Sequence, residues 1–149
     1  MKIAFASDHG GFELRKHLME FACLQGYEVI DFGTSSKESC DYPDFAYQAA
    51  LSVKNHEADY GIVVCTTGIG VSIVANKVKG VRCALVNTVE DAILTKQHNN
   101  TNCLALGQKN VSNELAEKIL CAWLDAKFLG GRHENRVNKI KEIEGKENE

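Results

Sequence analysis

From Lys2 onward, short apolar runs alternate with stretches of helical periodicity, and most of the connections between them are brief. That alternation restricts the fold more than any other feature, because strands separated by helices pair in parallel, with helices covering the sheet. Strands are expected at residues 2–6, 27–31, 60–65, 81–86 and 103–106. The helices expected between them cover residues 12–25, with Leu14, Leu18 and Phe21 on one face, then about 44–55 and about 68–77. A fourth is capped by Thr88, carries Glu90 and Asp91 in its first turn and ends near His98. Ser112 caps a fifth, whose Leu115, Ala116, Ile119, Leu120, Trp123 and Leu124 form an apolar stripe. Gly130-Gly131 then breaks the chain before a basic helical segment from Arg132, with a charged tail from about residue 139. The expected architecture is a single α/β domain over 1–149, a Rossmann-like five-stranded parallel sheet with helices on both faces. The runs at 60–65 and 81–86 read as continuous apolar runs apart from Arg82, as strands buried on both faces would.

Composition narrows the function. Hydrophobic residues make up 44% and charged residues 25%, so disorder is expected only at the last few positions. A net charge of −3 argues against a general nucleic-acid binder. No apolar stretch is long enough to span a bilayer, and Asp8 and His9 cut short the first apolar run, so a cytoplasmic protein is expected. The six cysteines include no C-x-x-C pair, and four lie inside apolar segments, where cysteine behaves as a small hydrophobe. Cys40 and Cys65 sit at loops.

In open parallel sheets, ligands bind beyond the carboxyl ends of the strands, near the point where strand order reverses. Two such ends carry chemistry. Cys65-Thr66-Thr67-Gly68-Ile69-Gly70 sets a thiol at a strand end just before a glycine-containing turn into a helix. The N–H groups of such a turn attract anions and favour thiolate over thiol. A tight turn beside a buried cysteine would give the same pattern. A Walker loop would need Gly-Lys-Ser/Thr; a dinucleotide fingerprint would need glycine at Ile73; a cysteine-phosphatase loop would need arginine at Val71. At the other strand end, Ser7-Asp8-His9-Gly10-Gly11 gathers a carboxylate able to hold sugar hydroxyls and an imidazole able to meet a phosphate, although a capped polar turn reads the same way.

Two further clusters lie elsewhere. Gln97-His98-Asn99-Asn100 closes the fourth helix, where the helix dipole favours a protonated imidazole. Arg132 and Arg136 stand at i and i+4 and can grip one phosphate together, or form a solvated basic face. The five histidines show no ligand spacing, so no metal is expected.

Together with Asp41-Tyr42-Pro43-Asp44, Ala75-Asn76-Lys77 and Gly130-Gly131-Arg132-His133, these segments make the chain resemble the type B ribose-5-phosphate isomerase family, which includes galactose- and allose-6-phosphate isomerases. The resemblance implies Cys65 as the base beside the carbonyl, with Thr67 and the loop through Gly68, Ile69 and Gly70 stabilising an enediolate oxygen. His98, with Asp8, would open the cyclic sugar; Tyr42 and Asn99 would contact it; His9, Arg132 and Arg136 would bind phosphate. It also implies a dimer or tetramer. The chain departs from the family pattern at Thr66, where glycine is frequent, and at Lys109, where arginine is frequent; lysine keeps the charge without the bidentate grip. Both positions bear on the preferred sugar.

Aldose–ketose isomerisation needs an open chain, a base near the shared carbons and a home for developing negative charge. His98, Cys65 and the Thr67–Gly70 loop match these needs, and no cofactor is required. The expected reaction interconverts ribose 5-phosphate and ribulose 5-phosphate. The alternatives are a hexose-6-phosphate isomerase, a flavodoxin-like nucleotide-binding module without catalytic activity, and a redox regulator using its cysteines. Geometry adds one expectation: Cys65 closes a strand and His98 closes a helix running back antiparallel to it, so the two should lie at opposite sheet edges and meet only between two subunits.

Overall fold

The computed structural model describes residues 1–147. Five parallel strands, β1 (Lys2–Ser7), β2 (Glu28–Asp31), β3 (Tyr60–Cys65), β4 (Cys83–Leu85) and β5 (Cys103–Gly107), form one sheet in the order β2-β1-β3-β5-β4. Helices α1 (Phe12–Leu24), α2 (Tyr42–Lys54), α3 (Ile69–Asn76), α4 (Val89–Asn99), α5 (Asn113–Asp125) and α6 (Arg132–Glu147) connect or follow them.

The pleat sends alternate residues of each central strand into two separate cores. Ile3, Phe5, Ile62, Val64, Leu104 and Leu106 pack with Leu14 and Leu18 of α1, Ala92 of α4, and Ile119, Leu120 and Trp123 of α5. Ala4, Ala6, Val63, Cys65, Cys103 and Ala105 face α2 and α3 through Ala46, Ala49, Ala50, Val53, Val71 and Ala75. The second core is built largely from alanine, which lets these two helices lie close to the sheet. The doubly covered α/β sheet is therefore as expected.

Differences are local. Residues 81–86 do not form a central strand: β4 keeps three residues, lies at the sheet edge, and its side chains are half-buried to exposed. The flanking Val81 and Val86 are buried in the two cores on opposite sides of the sheet, and the Val86 N–H still donates to the Ala105 carbonyl of β5 at 3.3 Å. Helix α2 starts at Tyr42 rather than near Asp44, because Pro43 occupies the first turn, where its missing N–H and fixed φ cost nothing. The segment from residue 139 continues α6 as helix through Glu147. The disorder expected of the last few positions falls partly on residues 148–149, outside the described residues. No helix among the described residues is long and apolar enough to cross a membrane.

Sheet order reverses between β1 and β3: from β1 the chain moves outward to β2, then returns past β1 to β3. The carboxyl ends of these two strands open the crevice where parallel sheets hold ligands.

Candidate active site

Cys65 ends β3 and is 6% exposed, so its thiol stands at the floor of the crevice. The Gly68 N–H donates to its Sγ at 3.2 Å. Gly68 holds φ +79°, and a Cβ there would come within 2.8 Å of the Leu106 carbonyl carbon, so only glycine makes this turn without distortion. The turn delivers Ile69 into α3, and the Thr67 hydroxyl accepts the Ile69 N–H at 3.2 Å. The first-turn N–H groups of α3 thus begin four residues after the thiol. The ring of Tyr42, at the start of α2, lies over Gly70 and walls the crevice from that side.

The loop after β1 forms the opposite wall. Asp8 is 7% exposed, and its Oδ1 accepts the N–H groups of Gly10 at 2.9 Å and Gly11 at 3.2 Å. The capped-turn reading of this carboxylate is thus realised, with Oδ2 left for other partners. His9 is exposed, and its Nδ1 accepts the Cys40 N–H at 3.2 Å. In the neutral ring that bond puts the proton on Nε2. Thr66 bridges the two walls: its hydroxyl covers Gly10, and a Cβ at Gly10 would meet it at 2.1 Å. The Lys109 N–H donates to the Thr66 carbonyl at 3.0 Å, so Lys109 stands beside this loop on the segment following β5. Asp8, His9, Tyr42, Cys65 through Gly70 and Lys109 are therefore brought to one edge of the sheet.

His98 and Asn99 are not there. The neighbouring Lys96 reaches the ring of Tyr60, the first residue of β3, at 4.2 Å, whereas Cys65 is the last. Arg82, just before β4, bonds the carbonyls of Asn99 and Asn100 at 3.1 Å from its Nε, and that of Asn100 at 2.7 Å from its Nη2. The end of α4 thus sits at the amino edge. His98 stacks on His133 of α6, with ring centroids 4.4 Å apart and planes 12° apart. Arg132 and Arg136 are exposed on the same helix. The His133 imidazole is held below its ordinary pKa, first by desolvation and then by His98, Arg132 and Arg136, so a proton there meets a field already positive. The expected phosphate grip and the ring-opening histidine share this edge, across the sheet from the thiol.

Sequence reasoning did not single out the Cys40 N–H as the group that orients His9, the His98–His133 stack, or Arg82 and Lys96 as supports of the α4 end. The His98-Asn99 and Arg132-His133 segments flagged the stack's two halves, but nothing in their spacing pairs them. Among the described residues no group of three or more His, Cys, Asp or Glu side chains converges as a metal site would require.

A parallel α/β domain with a thiol, a helix N-terminus and an oriented imidazole at its switch point belongs to the class of proteins that bind small anionic ligands there. Residues 3–140 match the family described as Ribose/Galactose Isomerase, and the chain belongs to that family. It is 48% identical to ribose-5-phosphate isomerase B of Escherichia coli over 99% of each chain. It is 46% identical to a putative sugar phosphate isomerase of Bacillus subtilis, over 98% of this chain and 99% of the relative. Among solved structures, the ribose-5-phosphate isomerase B of Clostridium thermocellum superposes with a TM-score of 0.97 at 51% identity, covering 98% of this chain and 99% of that one. The Mycoplasma genitalium ribose-5-phosphate isomerase B with bound ribulose-5-phosphate gives 0.92 at 42% identity, covering 97% and 96%.

Proposed function

We propose that this chain interconverts ribose 5-phosphate and ribulose 5-phosphate through an enediolate, with no cofactor, in a site assembled from two copies of the chain. The carrying observation is the Cys65 thiol at the switch point, with the Gly68 N–H on its sulfur at 3.2 Å and α3 beginning at Ile69. A thiolate there removes the C2 proton of the open aldose. Charge passes to the O1 oxygen, which Thr67 and the N–H groups of the loop through Gly70 receive; the proton of the C2 hydroxyl then passes to O1 as the C2 carbonyl forms, and the thiol returns its proton to C1. Electrons balance within the substrate, so no oxidant or metal enters.

Ring opening precedes this step: a proton leaves the C1 hydroxyl and one reaches the ring oxygen. His98 of the second subunit carries that exchange, with Asp8 facing it. Tyr42 and Asn99 hold sugar hydroxyls; Arg132, Arg136 and the Nε2–H of His9 hold the phosphate, and Lys109 adds positive charge beside Thr66. The partner docks over the crevice, where Tyr42, Tyr47, Ile69 and Ile73 are 38%, 47%, 53% and 55% exposed, a cluster that a second copy would cover. The same reading makes the protein cytoplasmic.

The test is conversion of ribose 5-phosphate by the purified protein beside allose 6-phosphate and galactose 6-phosphate. The proposal expects the pentose phosphate to give the highest kcat/KM. Turnover of a hexose phosphate alone would redirect the substrate, and absence of turnover on all three would reject the reaction.

A further inference from the structure

We propose that Lys96 is a positioning residue for the isomerisation: its buried ammonium locks the last turn of α4 in the rotation that presents His98 and Asn99 to the site. This rests on the reading of His98 as the ring-opening group. Lys96 is 4% exposed, unusual for a lysine, yet it makes no ion pair with a carboxylate among the described residues. Its Nζ lies 4.2 Å from the ring centroid of Tyr60 and 4.4 Å from that of Trp123, and donates to the Trp123 carbonyl at 3.0 Å. The two rings meet edge to face at 4.9 Å. Trp123 is fully buried, and its Nε1–H is fixed on the Thr101 hydroxyl at 2.9 Å. The ammonium thus joins the end of α4 to the end of α5 and the start of β3, inside a socket of two packed rings and a carbonyl.

An apolar side chain could fill this space without the cost of burying charge, which here lowers the Lys96 pKa to about 8. What the ammonium adds is direction: two aromatic faces and one carbonyl fix where Nζ must stand. Residues two apart on a helix are turned by roughly 200° about its axis. Driving Lys96 inward therefore drives His98 outward, onto its stack with His133. The Leu129 N–H on the Gln97 carbonyl at 3.1 Å and Arg82 on the Asn99 and Asn100 carbonyls hold the helix end in place, but both grip backbone. Lys96 is the side chain that sets its rotation. A misplacement of about 1 Å at a catalytic group can cost on the order of 10²-fold in rate.

Substrate chemistry separates this role from a general structural one. Ribose 5-phosphate is mainly cyclic and must be opened. Ribulose 5-phosphate carries its phosphate on the oxygen a five-membered ring would need, so it is acyclic. Exchange of its C1 hydrogen with D₂O requires the enediolate step but no ring opening. The experiment compares Lys96→Met and Lys96→Arg with the parent in three readouts: ribose 5-phosphate conversion, C1 exchange of ribulose 5-phosphate, and the NMR signals of His98. Lys96→Met should lose at least about tenfold in kcat for conversion, part of the roughly 10²–10⁴ that acid–base groups supply, while exchange stays within about threefold of the parent. KM should rise by no more than about threefold, since the phosphate contacts of Arg132 and Arg136 are untouched and only the Asn99 contact moves; the His98 signals should shift, and Lys96→Arg should restore conversion.

A folded Lys96→Met that converts at the parent rate with unmoved His98 signals overturns the proposal. So does proportional loss of conversion and exchange. If Lys96→Met does not fold, Lys96→Gln, which keeps a donor for the Trp123 carbonyl, is read by the same criteria. His98→Ala separates the two claims: if it leaves conversion intact, the ring-opening reading of His98 fails, and the Lys96 clamp is then judged by the His98 signals alone.

Discussion

Mixing two inactive variants should create an active enzyme. Lys96, two residues before His98, touches the first residue of β3, and Cys65 is its last. A six-residue strand spans roughly 20 Å at about 3.3 Å per residue. Neither side chain crosses that distance, so His98 and Cys65 of one chain cannot share a sugar. A two-fold dimer that lays the Cys65 edge of one subunit against the His98 edge of the other forms two equivalent sites. Cys65→Ala and His98→Ala should each be inactive as homodimers. In a mixed dimer one site carries both lesions and the other carries neither. Equal random mixing puts about half the molecules in mixed dimers with half their sites intact, so activity should recover to about a quarter of the parent's. The assay is ribose 5-phosphate conversion before and after subunit exchange, with exchange followed independently by mass-tagged subunits. Demonstrated exchange without recovery would refute the shared site and return His98 and Cys65 to separate roles.

Three further outcomes follow from the same geometry. Arg132→Ala and Arg136→Ala should each raise KM for ribose 5-phosphate by about tenfold or more with little change in kcat, because a phosphate grip persists through the reaction; steady-state kinetics check this, with inorganic phosphate as a competitor of the parent. Gly68→Ala should destabilise the fold by roughly 1–2 kcal/mol for its left-handed backbone alone, with more from the contact at 2.8 Å on Leu106, and should cut kcat by tilting the α3 N-terminus off Cys65; urea unfolding and turnover read both. The parent should gain stability relative to Lys96→Met as pH rises. Burial lowers the folded pKa of Lys96 from 10.5 to about 8, so between these values the unfolded chain holds more protons and stability climbs with pH. The cost of the buried charge is fully present below pH 8 and is relieved toward 10.5, by at most roughly 3 kcal/mol at 1.36 kcal/mol per pH unit, measured as the difference between the two urea midpoints at pH 7 and pH 10.

The sheet was legible in the sequence because its central strands are largely apolar runs and Thr88 and Ser112 cap α4 and α5. Strand order was not, since periodicity records which residues face a core but not which strand is its neighbour. Residues 81–86 show the consequence. Val81 and Val86, flanking β4, are buried in the cores on opposite sides of the sheet, so an edge strand carries the apolar signature of a central one. Residues 65–70 and 7–11 stood out because polar groups and glycines interrupt apolar strands where a parallel sheet opens. Lys96 was invisible for the opposite reason. A lysine on an amphipathic helix reads as solvated, and its two aromatic partners, Tyr60 and Trp123, lie 36 and 27 residues away along the chain. The pairing of His98 with His133 was hidden in the same way, because stacking depends on how α6 folds back on α4.

Isotope transfer follows the proton assigned to Cys65. Ribose 5-phosphate is converted in D₂O, and deuterium at C1 of the ribulose 5-phosphate formed is counted by NMR, for the parent and for Cys65→Ala. The account predicts deuterium at C1 with the parent, because the thiol exchanges its proton with solvent while the enediolate waits. It predicts that both conversion and incorporation fall by about 10²–10⁴-fold in Cys65→Ala, with ribose 5-phosphate binding unchanged by calorimetry. Conversion by Cys65→Ala at more than half the parent kcat, or deuterium incorporation by Cys65→Ala at the parent rate, would contradict it.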